Sequence, residues 1–343
     1  MATIRPRRGT SNGNDLMRQL TGRVVGQPHA ANQIVPYVQM HQAGLAPEDR
    51  PVGVFLLLGP TGTGKTRTVE ALAEALHGSE KQLLKVDCGE FQMEHEVAKL
   101  IGAPPGYLGH RETPPMLTQQ KLSSVASESC DLALVLFDEI EKAAPSMIRL
   151  LMGVLDKATL RLGDNTSVRF ERTLIFLTSN LGARAMRKEI QPDFGFGAVV
   201  PNVVARSGPR TASKLDRIGM SAVRRKFPPE FVNRIDAVIT YQPLSTAALA
   251  QIVDQQITVL ERHIQSRLAE RAFELRVNRA VRQFLLRTGT SSEYGARELK
   301  RTILRHLTQP LAAMAANGEI PPEAIVHAEM DEAGEKLVLT VTA

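Results

Sequence analysis

The stretch Val54-Phe55-Leu56-Leu57-Leu58-Gly59-Pro60-Thr61-Gly62-Thr63-Gly64-Lys65-Thr66 decides how this 343-residue chain is read. Five apolar residues in a row, ended by glycine, read as a strand buried on both faces, as in a parallel sheet. Gly59 to Thr66 fits G-x-x-x-x-G-K-[ST] at every fixed position, and Arg67 to His77 has helical periodicity through Val69, Leu72, Ala73 and Leu76. Strand, glycine-rich loop and helix are the context that a phosphate-binding loop requires. Glycines at 59, 62 and 64 let consecutive backbone N–H groups converge on phosphate oxygens beside a helix N-terminus.

The loop, with Gly59, Pro60, Thr61, Gly62, Thr63 and Gly64 as its cradle, predicts ATP binding. Lys65 is expected to reach the β- and γ-phosphates, and the Thr66 hydroxyl to ligate Mg²⁺. Further apolar strand candidates at 83–86, 132–137 and 174–177 alternate with helix-length segments, which indicates a doubly wound α/β sheet. The second of these ends in Asp138 and Glu139. Two acids at the end of an apolar strand are costly to bury without a purpose, and at the carboxyl edge of a parallel sheet they face the ligand. Asp138 is expected in the Mg²⁺ shell, with Glu139 orienting the attacking water. The third ends in Thr178-Ser179-Asn180, where the Asn180 amide can hold that water without adding charge, or cap a helix.

Composition narrows the classes. Hydrophobic residues make up 43% and charged residues 23%, as in an ordinary globular protein. Trp is absent and aromatics are 4%, which argues against a stacking platform for single-stranded nucleic acid. The net charge of +6 is spread along the chain and reads as a solvated surface rather than a nucleic-acid face. Cys88 and Cys130 are the only cysteines, so no disulfide framework is expected, and a reducing, cytoplasmic location fits. No His lies at metal-ligand spacing with Cys or acids. No apolar run approaches the roughly 20 residues of a spanning helix, and Met1 to Asn14 has no apolar core of a secretory signal.

Along the chain, residues 1–20 read as a flexible tail, 21–242 as the α/β nucleotide-binding domain and 243–343 as a smaller α+β domain. Within the first two, residues 15–50 read as helical, through Leu16, Leu20, Val24 and Val25 to a break at Gly26 and then through Ile34, Val38 and Met40 to Gly44. Residues 198–213, rich in Pro, Ser, Gly and Arg, read as a mobile loop. In the smaller domain, helices are expected over 244–270, 278–288 and 295–316, and strands over 273–277, 325–330 and 336–341.

With these motifs in order, the chain resembles the Clp family of AAA+ protein unfoldases and disaggregases, specifically their second ATPase module with its small C-terminal lid domain. The resemblance rests on Gly59 to Thr66, on Leu136-Phe137-Asp138-Glu139-Ile140-Glu141-Lys142-Ala143, and on Thr178-Ser179-Asn180. It extends to Pro229-Glu230-Phe231-Val232-Asn233-Arg234-Ile235-Asp236 and Tyr294-Gly295-Ala296-Arg297-Glu298-Leu299-Lys300-Arg301. It implies that Val25-Gly26-Gln27 forms an adenine pocket and that Arg297 is the lid's sensor arginine, contacting nucleotide in its own subunit. It also implies that Arg234 is an arginine finger reaching the neighbouring subunit's γ-phosphate, a task suited to a permanent charge with a donor fork.

Gly106-Tyr107-Leu108-Gly109 resembles the family's substrate-gripping pore loop, in which glycines give mobility and the Tyr-Leu pair grips extended polypeptide by apolar contact. Valine is usual in place of Leu108, and His110 to Pro115 departs from the usual Gly-rich acidic segment. Phe194-Gly195-Phe196-Gly197 resembles the tip by which some members dock a ring-shaped peptidase. The resemblance covers one ATPase module, which implies a single ring, as a homo-hexamer, acting on polypeptide. Two other readings stay open: an AAA+ loader acting on DNA-bound assemblies, and a nucleotide-gated scaffolding factor that remodels its partner without threading.

Overall fold

The structure, a computed structural model, describes residues 13–102, 114–190, 209–290 and 295–342. Among these, residues up to 60 together with 64–242 form one unit, and residues 61–63 together with 243 onward form a second.

The first unit is built on five parallel strands in the order β2-β3-β6-β1-β7. They are β1 (Gly53–Leu58), β2 (Leu84–Asp87), β3 (Ala133–Asp138), β6 (Thr173–Ser179) and β7 (Ala237–Thr240), with a separate antiparallel hairpin, β4 (Thr159–Arg161) and β5 (Ser167–Arg169). The continuous apolar runs make sense once both faces are covered. On β1, Val54, Leu56 and Leu58 enter one core while Phe55 and Leu57 enter the other. β3 and β6 split in the same way, since successive side chains point to opposite faces. Phe55 stacks on Phe176 at 5.3 Å between ring centroids and meets Tyr37 edge-on at 5.0 Å, geometries that aromatic pairs favour. Among the described residues no helix is long and apolar enough to cross a membrane.

Two expectations are corrected here. Of the flexible tail expected over 1–20, the described part from Gly13 belongs to a helix, Gly13–Arg23, in line with the helical reading from residue 15 onward, and its Leu16 and Leu20 are buried against the sheet's core. An i, i+4 apolar pair with a core to meet outweighs the polar composition around it. The mobile loop expected over 198–213 is helical from Pro209 onward, in the helix Pro209–Lys226. Proline is tolerated in a first helical turn, where its missing N–H has no intrahelical partner to lose.

The second unit packs helices Thr246–Leu268, Arg279–Gly289, Ala296–Ile303 and Gln309–Ala316 with a three-stranded sheet. In that sheet β9 (Ile325–Met330) lies between β8 (Glu274–Val277), parallel to it, and β10 (Leu337–Thr342), antiparallel. Ser245 and Asn278 cap their helices by accepting from the N–H groups of Ala248 and Val281. The helix expected over 295–316 is interrupted by a π turn, Leu304–Thr308, just before Pro310, which has no N–H to continue the ordinary ladder.

Candidate functional site

Strand register assembles the site. β1 and β6 run in step, Leu57 beside Thr178 and Leu58 beside Ser179, while β3 places Phe137 beside Leu177 and Asp138 beside Asp87 of β2. The last residues of four strands and the start of the helix Lys65–His77 therefore converge at one edge. Such an edge, at the carboxyl ends of parallel strands, is where ligands of these sheets bind.

The turn out of β1 is forced by glycine. Gly59 has φ +149°, and a Cβ there would lie 2.6 Å from the Tyr241 carbonyl oxygen. Gly64, with φ +104°, precedes the helix Lys65–His77. Lys65 is buried, and its ammonium donates to the carbonyls of Gly59 (2.7 Å) and Pro60 (2.8 Å) and to Asn180 Oδ1 (2.9 Å). Acceptors of this kind are what makes a buried ammonium tolerable. Asn180 then turns its Nδ2 to Glu139 Oε1 at 3.2 Å. One amide thus bridges the loop's cation to the acid, oxygen toward the ammonium and nitrogen toward the carboxylate.

Glu139 sits in the left-handed region at φ 57°, unusual for a side-chain-bearing residue and concentrated at functional sites. Its N–H donates to Thr178 Oγ1 at 2.9 Å, and the same hydroxyl donates to Asp138 Oδ1. Lys142 pairs with the second oxygen of Glu139. Asp138 Oδ2 meets the Lys85 ammonium at 2.9 Å, and Thr66 Oγ1 lies 3.5 Å from Asp138 Oδ1. Burial disfavours the ionised Asp138, but hydrogen bonds from Lys85 and Thr178 and the charges of Lys85 and Lys65 outweigh it. Its carboxyl is held below the usual carboxylate range.

A hydroxyl and an ionised carboxylate are hard oxygen donors, the set that suits Mg²⁺ sharing its shell with phosphate and water. Among the described residues there is no group of three or more His, Cys, Asp and Glu that could hold a metal ion. Cys88 is buried with its thiol pushed upward, mainly by burial and then by nearby carboxylates, and is an inert core residue.

The other predicted residues fall elsewhere. Val25, Gly26 and Gln27 connect the helices Gly13–Arg23 and Pro28–Gln42. Gln27 is buried, donating to the Gln242 carbonyl at 2.7 Å and accepting from its N–H at 3.3 Å. Arg234, just before β7, donates to the Glu230 carbonyl at 2.5 Å and lies 3.4 Å from Asp156, with its Nε buried and without a hydrogen-bond partner among the described residues. Neither partner belongs to the phosphate-loop cluster. Arg297 is exposed, at the second position of the helix Ala296–Ile303 in the second unit. Gly106, Tyr107, Leu108, Gly109 and the segment 194–197 lie outside the described residues.

Sequence reasoning missed Thr178, Lys85 and Lys142 as members of the cluster. Lys142 stands three residues after Glu139, a spacing that was legible. Lys85 had no signal, because only the β2–β3 register brings it to Asp138.

Comparison with known proteins agrees with this geometry. A family model described as the AAA domain (Cdc48 subfamily) matches residues 50–238, and one described as the C-terminal, D2-small domain of ClpB protein matches 244–328. The chain is 36% identical to the chaperone protein ClpB of Corynebacterium diphtheriae over 324 residues, 94% of this chain and 34% of that protein. With ClpB of Rhodopseudomonas palustris it shares 38% over 302 residues, 88% of this chain and 31% of the relative. It therefore spans about a third of the length of these relatives. Among solved structures, an extended-conformation complex of Saccharomyces cerevisiae Hsp104 with casein matches with a TM-score of 0.79 at 28% identity, covering 96% of this chain and 53% of that one. A closed-state Hsp104 reconstruction with ATPγS and casein gives 0.77 at 28% identity, covering 95% and 51%. A parallel-sheet nucleotide domain and a small C-terminal domain, matched in order by both models and by relatives across nearly the whole chain, place the chain in the Clp family of AAA+ ATPases.

Proposed function

We propose that this chain binds and hydrolyses ATP as one subunit of a homo-hexameric ring that unfolds polypeptide by drawing it through a central pore. The observation that carries the hydrolytic reading is the hydrogen-bonded line Lys65–Asn180–Glu139 beside Thr66 and Asp138. Lys65 and the backbone from Gly59 to Gly64 bind the phosphates, and Lys65 neutralises charge that develops on the γ-phosphoryl group. Glu139, steered by the Asn180 amide, accepts a proton from the attacking water. Thr66 and Asp138 would hold Mg²⁺, whose charge would offset that of the phosphates when bound. Val25, Gly26 and Gln27 hold the adenine. Arg297 senses nucleotide within the subunit, and Arg234 acts on the neighbour's site.

The polypeptide reading is supported by the chaperone names of the relatives and by casein in both Hsp104 structures. Tyr107 and Leu108, flanked by Gly106 and Gly109, grip the polypeptide by apolar contact. A cytoplasmic location and peptidase docking through Phe194 to Gly197 complete the proposal.

A Glu139→Gln variant tests it. It should bind fluorescent ATP with wild-type affinity while steady-state turnover falls by about 10²- to 10⁴-fold. Held in ATP, it should retain fluorescein-labelled casein on a sizing column. Retention of DNA in place of casein would favour the loader reading, and undiminished turnover would remove Glu139 from the chemistry.

A further inference from the structure

We propose that Lys85 is a resident counter-cation of Asp138, one that Mg²⁺ has to displace or share with, and that it thereby sets how much divalent cation the nucleotide site requires. The inference rests on reading this cluster as a Mg²⁺–nucleotide site and concerns a residue outside the phosphate loop. Asp138 has only 18% of its side chain exposed, so its carboxylate needs partners on both oxygens. Oδ1 takes the Thr178 hydroxyl, with Thr66 nearby, and Oδ2 takes Lys85 at 2.9 Å.

The neighbouring cations are already engaged. Lys65 is turned toward two loop carbonyls and Asn180, and Lys142 toward Glu139. Lys85 is thus the ammonium placed on the proposed metal-binding carboxylate.

Its position suits a displaceable cation. β2 is an edge strand, and Lys85 lies two residues before Asp87, the register partner of Asp138. Its neighbour Val86 is buried in the core and fixes the strand, whereas the Lys85 side chain is 47% exposed. A four-carbon stem at a half-exposed edge can carry its ammonium into water while the backbone stays paired. A divalent ion arriving at the same carboxylate meets a positive charge within a few ångströms, which either lowers its affinity or drives the lysine out. The empty site keeps a paired carboxylate, and the loaded site holds its ion less tightly than Thr66 and Asp138 alone would allow.

The test measures binding rather than turnover. The affinity of a fluorescent ADP analogue is followed across a Mg²⁺ titration for wild type, Lys85→Met, Lys85→Gln and Lys85→Arg. The Met and Gln variants should reach half-maximal tightening at about tenfold lower Mg²⁺, a typical coupling magnitude, while Lys85→Arg, which keeps the charge, stays near wild type. Equal Mg²⁺ midpoints in all four proteins, or a higher midpoint in the neutral variants, would overturn the inference. Two neutral variants are used so that poor folding of one leaves the other to decide. If wild type binds no nucleotide at any Mg²⁺ concentration, the proposed ATP site fails and this inference fails with it.

Discussion

Thr178 illustrates how one small side chain organises the site. Its hydroxyl accepts from the Glu139 N–H and donates to Asp138, so a single oxygen sets the backbone of one acid and the carboxylate of the other. The residue was visible in the Thr178-Ser179-Asn180 motif, yet its role depends on β6 lying beside β3, which no local pattern reveals. At the same scale, His77 carries a pH-dependent stability term away from the site. Its Nδ1 lies 2.9 Å from Ser127 Oγ, its Nε2 is buried without a hydrogen-bond partner among the described residues, and burial holds its pKa below 6.5, outweighing the raising influence of the Leu132 backbone. The unfolded chain therefore binds the proton more readily, so stability is full above pH 6.5 and declines as pH falls toward the lower folded value. In a His77→Asn variant, melting temperature should fall less than in wild type between about pH 7.5 and about pH 5.5. A parallel decline in both proteins would assign the acid sensitivity to other groups.

At the scale of elements, the decisive unit is β1, its glycine turn and the helix Lys65–His77. A buried strand can be followed at once by the phosphate loop only if the chain bends sharply at Gly59. The Tyr241 carbonyl lies where a side chain would have to go, and Tyr241 is anchored by its N–H to the Leu58 carbonyl at 2.6 Å and by its hydroxyl to Thr68 at 2.7 Å. Gly59→Ala should therefore lower unfolding stability by about 2 kcal/mol or more, through strain at a positive φ and a backbone clash, as read by urea denaturation. Nucleotide affinity should fall with it, because Lys65 donates to the carbonyl of that residue. Strands with long apolar runs were legible at this scale, β1, β3 and β6 above all. β7 was not: four residues, partly exposed at a sheet edge, carry no distinctive pattern. Its place follows from Asp236, whose N–H donates to Val54 O and whose carboxylate accepts from Val54 N–H and Arg50.

At the scale of the whole molecule, the proposed ring makes its strongest demand on Arg234. Within the subunit this side chain reaches Glu230 and Asp156, not the phosphate-loop cluster, so a catalytic role would have to be exercised on a neighbour. Arg234→Ala should keep nucleotide affinity while turnover drops by about 10³-fold or more, the scale of an arginine finger. Mixed with the equally inactive Glu139→Gln protein, it should regain part of the activity, since some interfaces then join an intact Arg234 to an intact Glu139. Mixing without recovery would mean that Arg234 acts within its own subunit. The amino-acid sequence by itself determined the phosphate loop, the acidic strand end and the α/β alternation. These are local, because apolar runs, glycine spacing and adjacent acids carry their physical meaning over a few neighbouring residues. The edge strand β7 and the pairing of Lys85 with Asp138 were decided only by tertiary structure. Each depends on strand order and register between segments far apart in the chain, and the energy of burying or pairing a side chain exists only once its distant partner is in place.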